Sequence, residues 1–325
     1  MSAGCATGDV EQRYEVPCGD ETPAAMLGCV DAARYQADVE FIAQPRPPGS
    51  QHWQAVQDLC AQRFGELGLQ VELAEFETGI NVVGKLPGGS KAAEQVLVSA
   101  HYDHIDGCAG ADDNATGVAA VLEAARVLSA RRFARTLVLA CWDDHEPRDH
   151  GALNGSRAYA SAARDRGDVI VANLVLEMIG YESLATNSQA MPGGFDILFP
   201  DANRQLVDQQ YRVDFLAFVL DSRAHDVAGL LRHYGDGVGM PTLTLELPPG
   251  DLDTPVYKDL RRSDHSSFWD AGYPGVMVTD TASFRNLAYH CQEGPDVTTN
   301  LSFDFAARAV RTLIGAVSQS LEPSE

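Results

Sequence analysis

Two short, densely apolar runs constrain this chain more than any other feature. Residues 95–100 (Gln95-Val96-Leu97-Val98-Ser99-Ala100) and 136–142 (Thr136-Leu137-Val138-Leu139-Ala140-Cys141-Trp142) have strand length and no wet face. Such runs belong to strands buried on both sides, which is the environment of a parallel sheet. The stretch from Thr116 to Ala130 between them reads as a helix, and a strand–helix–strand series supplies the crossover that parallel neighbours need. Gly155 to Arg166 reads as a second helix and Val169 to Met178 as a further strand, with Gly275-Val276-Met277-Val278 another. The expectation is an α/β fold: a three-layer sandwich with a mostly parallel, mixed central sheet and helices on both faces. Upstream, Trp53, Val56, Leu59, Cys60, Phe64 and Leu67 recur at helical spacing from Gln51 to a stop at Gly68. Leu69 to Phe76 and Asn81 to Leu86, ended by Pro87-Gly88-Gly89, read as a hairpin at a sheet edge.

With 325 residues, 45% of them hydrophobic, the chain can bury a large core. No Pro/Ser linker or charge block divides residues 35 to 320, so 35–325 is expected to be a single domain and 1–34 an N-terminal arm. A net charge of −22 leaves no basic surface for phosphates, which argues against nucleic acid as a partner. No apolar run approaches the roughly 18 residues of a membrane span. The seven cysteines form no CxxC pair, so a cysteine zinc site is not expected. Cys5, Cys18 and Cys29 crowd the arm, where a disulfide would tether it; that usage points to an oxidising compartment and an exported protein, periplasmic or extracellular. Ser2-Ala3-Gly4-Cys5 is similar to the tail of a bacterial lipoprotein signal, although no apolar run precedes it, which makes Cys5 a candidate lipid anchor.

The chemistry collects where ligands bind in such sheets, outside the carboxyl ends of the strands. His101-Tyr102-Asp103 follows the first buried strand and Asp113 precedes the helix after it. Asp143, Asp144, His145 and Glu146 follow the second strand, Glu177 closes the third, and His290 lies beyond the fourth. Several buried acids at one edge repel one another and lose their hydration, a conflict that divalent cations remove. Blander readings exist for each: Asp113-Asn114 as a helix cap, Glu146 as a loop acid, His290 as a surface histidine. His104 and Asp106 read as loop residues rather than ligands.

Taken in order, these segments resemble the di-zinc aminopeptidase family that also contains the glutaminyl cyclases, over roughly residues 40 to 310. They are Val98-Ser99-Ala100-His101-Tyr102-Asp103-His104, Gly110-Ala111-Asp112-Asp113-Asn114-Ala115-Thr116-Gly117, His145-Glu146-Pro147, Gly155-Ser156, Leu176-Glu177-Met178-Ile179-Gly180-Tyr181, Ser263-Asp264-His265, the run from Thr279 to Asn286, and Tyr289-His290. The resemblance implies a zinc-dependent exopeptidase acting on N-terminal peptide bonds of a peptide or aminoacyl substrate through a water activated by two zinc ions, with one zinc as the smaller complement. His101 and Glu177 would bind one metal, Glu146 and His290 the other, and Asp113 would bridge them. Asp103 would orient the His101 imidazole, and Asp264 and His265 would support the site. The family usually has Asp where this chain has Glu177. The family also holds carboxypeptidases, so the end attacked stays open, and residues 191–255 are expected to form much of the substrate wall.

One departure bears on catalysis. Two adjacent glutamates follow the second strand in this family, the first being the general base. Here Asp143-Asp144-His145-Glu146-Pro147 puts His145 in that place. Three readings compete: His145 is the base, since neutral imidazole accepts a proton near pH 7; Asp144 supplies the carboxylate; or the chain is a catalytically impaired metal-binding homologue. Glutaminyl cyclisation, an acyl transfer within the substrate using one zinc, is the alternative activity.

Overall fold

The computed structural model describes residues 18–19, 22–146, 154–248, 250 and 252–324. Its centre is an eight-stranded sheet. The strands are β1 (Gln70–Phe76), β2 (Gly79–Leu86), β3 (Lys91–His101), β4 (Arg135–Trp142), β5 (Val169–Glu177), β6 (Leu216–Asp221), β7 (Thr242–Leu247) and β8 (Val276–Thr279), in the order β1-β2-β4-β3-β5-β8-β6-β7. β3 pairs in parallel with both β4 and β5, β5 with β8, and β6 with β7. β1–β2, β2–β4 and β6–β8 are antiparallel, so the hairpin lies at one edge as expected and the sheet is mixed.

Helices cover both faces, and the sheet's alternation shows why the β3 and β4 runs are apolar throughout. Val96, Val98 and Ala100 pack on one side with α1 (Ala32–Ile42), α2 (Gln51–Glu66), α3 (Gly117–Ser129), α4 (His225–Gly237) and α5 (Phe303–Leu321). Leu97, Val138 and Trp142 face the other side, against Tyr159 and Ala160 of the helix Asn154–Arg166 and Phe268 of the helix His265–Asp270. Each fully buried Val, Leu or Phe among these contributes about 1.5–3 kcal/mol relative to exposure. Local signals set the helix ends. Ser50 caps α2 by accepting from the Trp53 N–H at 3.1 Å, and Gly68 takes the left-handed φ of 79° that ends it. Ser302 caps α5 in the same way, accepting from Phe305 N at 3.3 Å.

Residues 191–255 hold more regular structure than a wall. They carry β6, α4 and β7, and the inner side chains Ala217, Val219, Leu243 and Leu245 make a separate core with Phe195, Phe199 and Trp269. In the N-terminal region Cys18 pairs with Cys29, and Met26, Leu27 and Val30 are buried in the main core. Cys5 lies outside the described residues. A second disulfide joins Cys108 to Cys291. No helix among the described residues is long and apolar enough to cross a membrane.

Candidate metal centre

The parallel register brings the candidate ligands to one edge. His101 is the last residue of β3, level with Trp142 of β4, and Glu177 is the last of β5, level with Thr279 of β8. His101 Nε2 lies 3.2 Å from Asp113 Oδ1 and 3.6 Å from Glu177 Oε2. On the other side of the same carboxylate, His290 Nε2 lies 3.3 Å from Asp113 Oδ2 and 3.0 Å from Glu146 Oε1. Asp113 thus turns one oxygen to each pair. Both its oxygens and His101 Nε2 are buried without a hydrogen-bond partner among the described residues. Leaving such groups unsatisfied costs about 1–3 kcal/mol each, more when charged. Cations held between these donors would meet that need, and a mixed imidazole and carboxylate set suits zinc. The residues therefore fit a metal centre.

Electrostatics agree with this. Burial works against the charged form of His101, but Glu177, Asp103 and Asp113 outweigh it and hold its pKa well above the ordinary value. His290, likewise opposed by burial, is raised to about 10 by Asp113 and Glu146. Burial alone would raise Asp113, yet His104, His101 and His290 hold it well below the usual carboxylate range. Burial and Asp113 both push Glu146 up, and His104 and His290 overcome them to hold it at about 2. The carboxylates that raise these imidazoles would equally favour a cation, whose binding would displace the imidazole protons.

The loop that carries Asp113 is fixed from several sides. Arg46, fully buried, donates to the carbonyls of Tyr102 at 2.8 Å, Ala109 at 2.7 Å, Gly110 at 3.0 Å and Asp113 at 3.1 Å. The Asp296 carboxylate accepts from the N–H groups of Asp112 and Asp113, at 3.0 and 3.1 Å. Asn114 donates to Leu176 O at 2.8 Å and accepts from Met178 N at 3.2 Å, which ties the loop to the end of β5 on either side of Glu177. Nothing in the sequence alone marks Arg46 or Asp296; a lone Arg before a Pro and a lone Asp in a loop look like surface charge.

Three supporting residues sit differently from the expectation. Asp103 does not hold the His101 ring by its carboxylate, which is 3.8 Å away; the Asp103 backbone carbonyl lies closer to His101 Nδ1, at 3.2 Å. The carboxylate instead accepts from His145 N at 3.1 Å and Glu146 N at 3.0 Å, so it orders the loop after β4. The Asp144 carboxylate is engaged by Thr78 and by Asn154 (2.8 Å), on the hairpin side, and among the described residues it makes no hydrogen bond or ion pair with a candidate metal ligand. His265 turns to Leu260 O at 2.9 Å and packs edge-on against Trp269. Asp264 does reach the site: its Oδ2 is 3.1 Å from His145 Nδ1. The His145 ring stacks on His101 with centroids 3.8 Å apart, and its Nε2 lies 3.9 Å from Glu177 Oε2. Burial and His101 lower the His145 pKa, but Asp264 and Glu177 carry it up to about 9. His104, read from the sequence as a loop residue, is fully buried beside Glu146 and Asp113. An apolar pocket opens next to His145 and Glu177, lined by Met191, Phe195, Val219, Leu245 and Met277.

Comparison with known proteins agrees with this arrangement. Residues 81–218, which carry His101, Asp113, Glu146 and Glu177, match the model of Peptidase family M28. The uncharacterized protein YfbL of Escherichia coli (strain K12) is 29% identical over 229 residues, covering 67% of this chain and 65% of that protein. Leucine aminopeptidase 1 of Grosmannia clavigera is 25% identical over 267 residues, covering 77% of this chain and 55% of that protein. The chain therefore spans less than two thirds of the length of these relatives. Among solved structures, the Legionella pneumophila LapA aminopeptidase aligns with a TM-score of 0.67 at 16% identity, over 99% of this chain and 79% of that one. Macrostomum lignano glutaminyl cyclase aligns with a TM-score of 0.66 at 18% identity, over 95% and 96%. The resemblance read from the sequence is borne out: residues 81–218 match the model of peptidase family M28, and the chain shares its fold with aminopeptidases and glutaminyl cyclases.

Proposed function

We propose that this protein is a zinc-dependent exopeptidase of the aminopeptidase type, exported, with His145 as its general base. The observation that carries the reading is Asp113. It is a buried carboxylate whose two unpartnered oxygens face two separate sets of donors, His101 with Glu177 and His290 with Glu146. Two zinc ions, when bound, supply Lewis acidity for the scissile carbonyl and a lowered pKa for a water. The chain's own groups do the rest. Cations held by His101 and Glu177 would offset the negative charge that raises the His145 pKa to about 9, and in the neutral ring the Asp264 carboxylate 3.1 Å from Nδ1 favours the Nδ1–H tautomer, which leaves Nε2 to take a proton. The pocket lined by Met191, Phe195 and Met277 favours substrates whose terminal side chain is bulky and apolar. Two disulfides support export to an oxidising compartment.

The test is a substrate panel run on the zinc-loaded and the chelated protein. It contains aminoacyl-anilides, a peptide with N-terminal glutamine, and an N-blocked peptide with a free carboxyl end. Leucyl, methionyl or phenylalanyl anilides should turn over, with loss on chelation and recovery on adding zinc. His145→Ala should lower kcat about 10²–10⁴-fold, the usual contribution of a positioned base, and His145→Glu should retain activity. A silent natural protein beside an active His145→Glu would remove His145 as the base. Zinc binding with no turnover by either form would leave a metal-binding homologue, and pyroglutamate from the glutaminyl peptide would move the reading to cyclisation.

A further inference from the structure

His104 is fully buried, and neither ring nitrogen has a hydrogen-bond partner among the described residues. A core histidine normally meets this need with a carbonyl, as His265 does with Leu260 and His101 does with Asp103. His104 instead points at carboxylates. Its Nδ1 lies 3.6 Å from Glu146 Oε1 and 4.0 Å from Asp113 Oδ1, without hydrogen-bond geometry to either. His290 approaches the same Glu146 oxygen at 3.0 Å, and the two imidazoles meet edge to face with centroids 5.8 Å apart. With zinc–nitrogen and zinc–oxygen bonds of about 2.0–2.2 Å, donors around one tetrahedral ion stand roughly 3.3–3.6 Å apart. The spacings of His104 and His290 from Glu146, and of His290 from Asp113 Oδ2 (3.3 Å), fall at or near that range.

The surroundings hold His104 in this place. Gly110 adopts a left-handed φ of 58°, and a Cβ there would fall 2.5 Å from His104 Cδ2, so only glycine leaves room for the ring. Arg46 clamps the carbonyls on both sides of the loop, and the Cys108–Cys291 disulfide joins that loop to the residue next to His290. We propose that His104 is a further protein ligand, through Nδ1, of the metal ion held by Asp113, Glu146 and His290. The inference rests on the metal-centre reading above. It makes the two ions unequal: one site has two imidazoles and two carboxylates, the other has His101, Asp113 and Glu177. The richer site holds its ion more tightly and fills first.

Full-length protein loaded with zinc(II), and separately with cobalt(II), is equilibrated against a graded chelator series. Metal content and the visible cobalt spectrum are then followed for the natural protein, His104→Ala and His104→Gln. Two release steps are expected for the natural protein. In both variants the tighter step should weaken by more than about tenfold, the lower bound for losing even an indirect metal partner, with a changed cobalt spectrum for that step alone. Glutamine nearly preserves the volume, so it decides the matter if alanine compromises folding. Release steps and spectra identical to the natural protein in a folded variant overturn the proposal and leave the metal centre intact. A natural protein that binds neither ion overturns both.

Discussion

The two halves of the proposed metal centre are built on different principles. His101 and Glu177 end neighbouring parallel strands, so sheet register alone sets their separation. Glu146 and His290 sit on loops. His290 lies in a tight turn with a left-handed φ of 53°, and Glu146 immediately follows a residue pinned by the Asp103 carboxylate. The strand-borne half needs little beyond the core beneath it. The loop-borne half needs the Asp103 contacts, the Arg46 clamp and a disulfide beside His290. Ligands placed by a sheet are precise because the sheet is; ligands placed by loops are only as precise as the links that fix them.

Asp113 belongs to both halves, and its removal should have the largest effect. Asp113→Asn keeps the shape but halves the anionic donors. Both zinc equivalents should leave at chelator concentrations the natural protein tolerates, and kcat/KM should fall more than the 10–100-fold seen for partners outside the ligand set. Metal analysis beside anilide kinetics reads this directly. Loss of a single equivalent, with the other undisturbed, would break the comparison by assigning Asp113 to one half.

An intermediate effect is expected from the link. The Cys108–Cys291 disulfide closes a separation of 183 residues, and a native bridge of this kind contributes about 2–5 kcal/mol. The double change Cys108→Ser and Cys291→Ser should lower the unfolding midpoint accordingly and weaken only the ion bound by His290 and Glu146. Denaturant unfolding measures the first effect and chelator competition the second. Equal weakening of both ions would mean that the loop and strand halves are mechanically one.

The same division explains what the sequence made legible. The strand-borne ligands end apolar runs, where a His or Glu stands out against Val98 or Leu176 and the fold follows from the same runs. The edge hairpin and the helix over residues 51–66 were equally plain, because spacing and a terminal glycine mark them. The loop-borne half was legible only through its resemblance to a known pattern. Its supports were not legible at all. Arg46 and Asp296 act on backbone groups far away in sequence, and Asp103 was expected to bond His101 because the two are close in sequence. In fact its carboxylate reaches the N–H groups of His145 and Glu146, which only the pairing of β3 with β4 brings near. In the sequence His104, a second histidine just past a strand, looks like an ordinary loop residue. Its burial depends on Gly110 and on the chain folding back over it.

The smallest expected effect tests the precision of the sheet itself. Glu177 accepts from Ser263 Oγ at 2.6 Å through the same Oε2 that lies 3.6 Å from His101 Nε2. Glu177→Asp shortens the side chain by one methylene on a backbone that cannot follow, because Glu177 is paired with Thr279 inside the sheet. The carboxylate should draw back from Ser263 and reach the ion less well. Affinity at the His101 site should fall by a few-fold and stay below about tenfold, the low end for outer partners, with the His290 site and the unfolding midpoint unchanged. Chelator competition resolves such a shift. A loss as large as that of Asp113→Asn would mean that strand register leaves no slack for a shorter ligand. An unchanged affinity would mean that His101 and Asp113 alone set the strength of this half, with Glu177 serving mainly to anchor Ser263.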